Sequence, residues 1–278
     1  MPKLPQKAYN LIFDSQVEPG KAARLPEFSP IQPEIETPQR KEDGWVGYMG
    51  PNISWKNWPR SRVTKLPMVH AITLRLPEEY NVKGEKYVGI SFFQGDTVNA
   101  DKHEISPLFF QRSEMDKDYL KYEPHPEYQE LTTQIDDHFG VIWLTEEEFS
   151  PKEPAPNLIQ PNDLNGDNEY EPHAWSYITS SESIPGYAKV WLIDREDPNV
   201  GKYPNEENQN GYISDLPEEQ IEEFSMYSHL GGTLLPVQGL IHGLSPFCLE
   251  IESLPGMNIG DGNLQFDLLT NKTDWACT

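Results

Sequence analysis

Four short stretches of the chain have the hydrophobic pattern of strands. They are MVHAITLRLP (68–77), YVGISFFQGD (87–96), the apolar part of HFGVIWLTEEEF (138–149) and AKVWLIDRED (188–197). Residues alternate in MVHAITLRLP, which is typical of a half-buried strand, whereas YVGISFFQGD is a short apolar strand flanked by glycines. Proline or glycine near their ends is typical of strand termini. The pattern therefore predicts a mainly β protein.

One stretch has helical periodicity instead. DLPEEQIEEFSMYSHLGG (215–232) offers Asp215 as an N-cap, Pro217 for the first turn, and a glycine pair as the end of the helix. The inward-facing positions at helical spacing are Ile221, Phe224 and Ser225 or Tyr227. We therefore expect an α+β fold that is predominantly β, with few short helices.

Two parts of the chain resemble each other. The first contains GYMGP (47–51), AITLRLP (71–77) and GISFF (89–93), and the second contains HLGGT (229–233), LEIESLP (249–255) and GNLQF (262–266). Each part has a glycine turn, an alternating strand closed by Leu-Pro, and a glycine-led strand with an aromatic residue. Chance similarity between β-rich segments is the alternative, but order and spacing favour an internal duplication into two related halves.

Proline-rich stretches suggest where these halves begin and end. We expect an extended N-terminal arm (1–44), a first half (45–150), an acidic proline-rich loop (151–172) and a second half (173–278).

The negative charge of the chain is concentrated beyond its first hundred residues. Residues 1–100 carry 13 Lys and Arg against 11 Asp and Glu, whereas residues 101–278 carry 9 against 34. Such a charge repels nucleic-acid phosphate and anionic lipid and accelerates encounter with basic proteins. A surface that serves only solubility is the alternative.

Two cysteines, Cys248 and Cys277, do not make a disulfide framework and lie in no CxxC pair. The N-terminus lacks the apolar region of a secretion signal, and no run of about 18 apolar residues occurs. We therefore expect a cytoplasmic protein that does not bind a membrane.

Candidate catalytic and metal-binding patterns are weak. The loop DLNGDNE places Asp163, Asn165, Asp167 and Glu169 at alternate positions, but it lacks the glycine and the glutamate of an EF-hand. Seven scattered histidines form no zinc spacing; His229 and His242 flank the glycine–proline turn. Nucleophile-elbow and nucleotide-binding motifs do not occur. We expect no catalytic residue, metal or cofactor.

At this point the residues resemble a known family. WPRSRVTKLPMVHAITLRLP and VGISFFQGD resemble the first half of the YwqG-like domain of unknown function, and HLGGTLLPVQG, LEIESL and GDGNLQFDL resemble its second half. The positions that match the family's motif are Gly231, Gly232, Pro236, Gln238, Gly260, Asp261 and Phe266. The chain departs from the family at His70, at Ile72-Thr73 and at Ser253-Leu254.

The resemblance implies a mainly β fold of two related halves. It also implies a distant relationship to programmed-cell-death-2-type proteins, which are proposed to chaperone a basic ribosomal protein. Bacterial members of the YwqG-like family are proposed to be immunity proteins in toxin systems. From this resemblance and the charge we expect a non-enzymatic protein that neutralises a basic toxin by occlusion. A chaperone-like holder of a basic protein and an enzyme with an unrecognised site are the alternatives. The candidate partner-binding residues are Glu146, Glu147, Glu148, Glu218, Glu219, Glu222 and Glu223.

Overall fold

The structure is a computed structural model that describes part of the chain. The described residues are 2–14, 38–47, 49–60, 68–95, 122–132, 138–152, 187–204, 216–238, 242–252, 254 and 262–277. The DLNGDNE loop, Gly260, Asp261 and nearly all of the predicted loop 151–172 lie outside them.

Within the described ranges, eleven strands form one antiparallel sheet in the order β11-β10-β9-β8-β1-β7-β2-β3-β4-β6-β5. They are β1 (Ala8–Phe13), β2 (Gly44–Gly47), β3 (Val69–Arg75), β4 (Gly89–Gln94), β5 (Tyr128–Thr132), β6 (His138–Leu144), β7 (Tyr187–Arg195), β8 (His229–Leu230), β9 (Cys248–Ile251), β10 (Gly262–Asp267) and β11 (Thr273–Cys277). One α-helix, α1 (Glu218–Phe224), is present in the described part of the chain, with short 3-10 turns at Trp55–Asn57 and Glu78–Tyr80. The predominantly β prediction is confirmed, and the four predicted strand segments correspond to β3, β4, β6 and β7.

Apart from the edge strand β5, the strands on the two sides of the central β1–β7 pair follow one another outward in sequence order. Counting outward, β8, β9, β10 and β11 lie on one side, and β2, β3, β4 and β6 lie on the other, with β5 added at the edge. We call these the second arm and the first arm. Their cross-strand pairs match: Leu249 pairs with Phe266 in the second arm as Ile72 pairs with Phe92 in the first. Duplication itself stays a prediction.

The alignment of the two similar sequence segments and the strand pairing in the sheet differ by one residue. Aligning 89–93 with 262–266 by letters places Phe93 opposite Phe266, whereas the ladders give Phe92 the position of Phe266. A one-residue shift moves every side chain to the other face. Consistently, Phe92 and Phe266 both lie in the main core, while Phe93 packs in a separate cluster.

Both arms bury one face in the same core. The Phe92 and Phe266 rings meet edge to face with centroids 5.0 Å apart. The opposite face of the first arm is covered by an apolar cluster in which Ile53, Trp58 and Met68 pack against strand residues. The opposite face of the second arm is polar, and it positions the candidate site described below.

The predicted N-terminal arm contains a central strand. Within 1–44, β1 pairs with both β7 and β8. Because β7 and β8 both belong to the predicted second half (173–278), β1 is built into that half, and the two predicted halves meet where β2 pairs with β7.

The helix predicted over 215–232 is shorter than expected. It begins after Pro217, which offers no side-chain cap, and it ends at Phe224. It cannot continue to the glycine pair because His229 and Leu230 pair with β1 and β9. Among the described residues, no helix has the length and apolar character that crossing a membrane requires.

Candidate functional site

Helix α1 presents four glutamates to solvent. Glu218, Glu219, Glu222 and Glu223 are all exposed, and within the described ranges none of them forms an ion pair. The i,i+4 neighbours on this helix are therefore like-charged pairs, which destabilise a helix slightly. Glu222 and Glu223 also lie in the last turn, where the helix dipole disfavours negative charge. The helix thus carries concentrated negative charge at a cost to its own stability.

The apolar side of α1 fixes it to the protein. Phe224 is buried against Leu216 and Leu235, with Ile221 packed at the edge of this cluster. The guanidinium carbon of Arg195, from β7, lies 4.2 Å from the centroid of the Phe224 ring. Stacking on a buried guanidinium adds to the apolar contact. The acidic side is thereby held outward.

Arg195 belongs to a buried ion pair. Its Nη2 donates to Asp197 Oδ2 at 2.7 Å and to the Gly231 carbonyl at 3.2 Å. The Arg195 and Asp197 side chains are 3% and 0% exposed. Burial lowers the pKa of Arg195, with the Asp197 charge opposing that effect. Removing one partner of such a pair destabilises the protein, because the other charge is left buried and unpaired.

Residues 232–237, here called the strap, cross the polar face of the second arm. Alternate backbone N–H groups of the strap donate to side chains: Thr233 to Asp197 at 2.8 Å, Leu235 to Glu250 at 3.0 Å and Val237 to Asn263 at 3.2 Å. The alternation is that of an extended chain. The polar side chains of this face therefore satisfy backbone groups that would otherwise be buried without partners.

Glu250, on β9, is an almost completely buried acid of this face. Its side chain is 1% exposed, and its carboxyl accepts from the Leu235 N–H and from Gln265 Nε2, the latter at 2.9 Å. Burial, reinforced by the charge of Glu252, raises the pKa of Glu250 to about 8. Burial likewise raises the pKa of Glu252 to about 7.

The two histidines that flank the glycine–proline turn have different surroundings. His229 is completely buried on β8, and burial followed by the Arg195 charge lowers its pKa well below the ordinary value. Its Nδ1 lies 3.7 Å from Glu250 Oε1, and its Nε2 has no hydrogen-bond partner among the described residues. His242 lies exposed in a turn.

The other predicted acidic run, Glu146–Glu148, is largely engaged within the protein. Glu146 forms two hydrogen bonds of 2.8 Å with Arg75. Burial would raise the pKa of Glu148, but hydrogen bonds from Thr145 and His125 outweigh it and lower that pKa. Glu147 is exposed and lines a groove of about 360 Å³. Glu146 nevertheless has a 69% exposed side chain, so Glu146 and Glu147 both reach solvent, and partner binding by this run stays a prediction.

His125 lines the same groove but is not positioned as a base. Its Nδ1 accepts from the Glu127 N–H at 3.2 Å, so the proton lies on Nε2, which donates to Glu148 Oε1 at 3.0 Å. Both ring nitrogens are therefore occupied by structural contacts. Removing a proton from a substrate requires an accessible nitrogen within hydrogen-bond reach.

The motif residues have structural roles where the structure describes them. Gly231 and Gly232 have φ of 74° and 78°, a conformation that favours glycine. Pro236 lies in the strap, Gln238 is exposed beyond it, and Phe266 is in the core.

The polar face beneath the strap was not predicted from the sequence. The pattern that could have indicated it is a single polar residue between two apolar ones: Glu250 lies between Leu249 and Ile251, and Gln265 lies between Leu264 and Phe266. Across the described ranges, no three His, Cys, Asp or Glu residues are grouped as metal ligands.

Comparisons with protein-family models, curated proteins and solved structures gave no match. The functional proposal below is therefore based on the geometry of α1, the strap and the polar face.

Proposed function

We propose that this protein binds a basic protein through the acidic side of α1 and does so without catalysis. The observation that carries the proposal is the set of four exposed glutamates on a helix whose opposite side is fixed by Phe224. A cationic partner would relieve the repulsion among these carboxylates and accelerate association through long-range attraction.

The specific form of this proposal is neutralisation of a basic toxin by occlusion. Nuclease toxins hold phosphate in basic clefts, and a rigid acidic helix is suited to such a surface. A holder of unfolded basic segments would need a broad exposed apolar surface. In the described part of the chain, the exposed large apolar residues are Leu4, Tyr203, Met226 and Val237 only. This favours a folded partner.

The test is capture of a partner from native lysate by wild-type protein and by two charge-matched variants. In the first variant, the four α1 glutamates become glutamine. In the control, four other exposed or half-exposed glutamates without an ion pair to a described residue become glutamine, namely Glu42, Glu78, Glu85 and Glu196.

We expect wild type and control to retain a basic protein and the α1 variant to lose it. The binding by wild type and control should weaken as the salt concentration increases. Growth rescue on co-expression would then identify the partner as a toxin. Equal retention by both variants, or an acidic partner, would refute the role of α1.

A further inference from the structure

The first arm contains a buried hydrogen-bond donor without an acceptor. Trp143, on β6, is completely buried in the main core. Its indole Nε1–H can only donate, and it has no hydrogen-bond partner among the described residues. The equally buried Trp58, in contrast, donates its Nε1–H to the Met68 carbonyl at 2.8 Å. A buried donor that bonds to nothing is costly, so Trp143 requires an acceptor.

A buried acceptor without a donor lies on the neighbouring strand. The Oε1 atom of Gln129, on β5, is buried and has no hydrogen-bond partner in the described part of the chain. Gln129 pairs directly with Val141, which precedes Trp143 by two residues on β6. Directly paired residues, and residues two apart on a strand, project from the same face of a sheet. Gln129 and Trp143 are therefore diagonal neighbours on the core face, about 7–8 Å apart and within reach of long side chains.

The polar groups beside Trp143 are engaged with one another. The Tyr87 ring meets the Trp143 ring edge to face, with centroids 6.4 Å apart. The Tyr87 hydroxyl donates to Glu127 Oε1, and Glu127 Oε2 lies 3.9 Å from Lys83 Nζ. The indole N–H of Trp143 and the amide oxygen of Gln129 thus stay as one donor and one acceptor on the same buried face.

We propose that a buried water molecule bridges these two side chains: it accepts from the Trp143 indole N–H and donates to Gln129 Oε1. Water fits because one oxygen atom both accepts and donates, and a buried water needs two to four polar partners. An ion of either sign would find an attractive group on one side and a repulsive one on the other. The bridge joins β5, the last strand in the sheet order, to the main core through a polar contact.

Magnetisation transfer from water in NMR spectra tests the site on the whole chain without any partner. The readout is the pair of laboratory-frame and rotating-frame Overhauser peaks between water and each indole N–H proton. A water molecule that stays bound gives peaks of opposite sign, whereas exchange of the proton with bulk solvent gives peaks of the same sign. We expect opposite signs at Trp143 and no peak at Trp58, whose N–H is bonded to a carbonyl. No peak at Trp143, or peaks of the same sign, overturns the proposal.

Two substitutions of Gln129 test the second partner of the water. Gln129→Met keeps the length of the side chain but removes the acceptor, whereas Gln129→Glu keeps an oxygen there. The Trp143 peaks should be lost in Gln129→Met, with the indole proton resonance moving upfield, and kept in Gln129→Glu. Peaks that persist in Gln129→Met would come from the Tyr87 hydroxyl, which exchanges with solvent and is unchanged in that variant. That result, or loss in both variants, overturns the bridge.

The comparison of Trp143 with Trp58 in wild type remains decisive if a variant fails to fold. The water site lies in the first arm and is tested without α1, so this proposal and the proposed function can fail separately.

Discussion

Replacing His70 should change how the stability of the protein depends on pH. His70 lies on β3 and is 2% exposed. Its Nδ1 is 2.6 Å from the Gly47 carbonyl and its Nε2 is 2.8 Å from Thr73 Oγ1, which in turn is 2.8 Å from Ser91 Oγ. The carbonyl can only accept, so Nδ1 carries the proton and Nε2 accepts from Thr73. The neutral imidazole therefore satisfies both hydrogen bonds.

Burial lowers the pKa of His70 to about 4, against 6.5 for an exposed histidine. Between these values the unfolded chain binds a proton that the folded protein does not, so stability falls as the pH falls. One pKa unit corresponds to about 1.4 kcal/mol, and the full window costs about 3 kcal/mol. The contribution of His70 is thus fully present above about 6.5 and lost by about 4.

The assay is urea unfolding of wild type and His70→Gln across this window, with exposed His242→Gln as the matched control. The observable is the difference in unfolding free energy between the two proteins, because the contributions of His229, Glu250 and Glu252 cancel in it. His70→Gln should change this difference by about 3 kcal/mol from the top of the window to its bottom, and His242→Gln should leave it flat. A flat difference for His70→Gln would show that the imidazole is not held neutral.

Two further pairs of substitutions test the fold. Phe92→Ala and Phe266→Ala should each cost about 3–5 kcal/mol, and a double-mutant cycle in urea should give a coupling of about 0.5–1.5 kcal/mol; strict additivity would mean that the arms do not share one core. Gly231→Ala should destabilise far more than Gly84→Ala in thermal unfolding: both have positive φ, but the new Cβ would lie 1.7 Å from Tyr80 Oη at Gly231 and meet nothing within 4 Å at Gly84. Equal losses would contradict this.

The sequence predicted β4 and β6 as short apolar strands, and both faces of these strands are buried. Residues such as Ile90, Phe92, Val141 and Trp143 lie in the main core, whereas Phe93, Ile142 and Leu144 lie in the separate apolar cluster. A short continuous apolar run is typical of a strand that is buried on both faces. Strands β2 and β8 were not predicted because they are four and two residues long, too short to show a period.

The buried polar face was missed for a different reason. Sequence patterns associate polar residues with solvent, so Glu250, Gln265 and Asn263 indicated an exposed face. They are buried because the strap covers them, with the Leu235 N–H donating to Glu250 and the Val237 N–H donating to Asn263. That relation joins residues about 15 to 28 positions apart, and no local periodicity contains it. The acidic helix, in contrast, was predicted from local spacing alone, although its end was placed too late.

Equivalent positions of the two arms hold different chemistry, and this difference explains where the candidate site lies. The ladders place Thr73 and Ser91 of the first arm where Glu250 and Gln265 stand in the second. Hydroxyl groups satisfy one another and His70, so apolar residues such as Trp58 can cover that face without an unpaired charge. The buried carboxyl of Glu250 requires donors, and it receives them from the Leu235 N–H of the strap and from Gln265 Nε2. The side chain of Leu235 in the strap packs against Phe224 of α1. The position of the acidic surface therefore depends on Glu250 and Gln265, which lie beneath the strap.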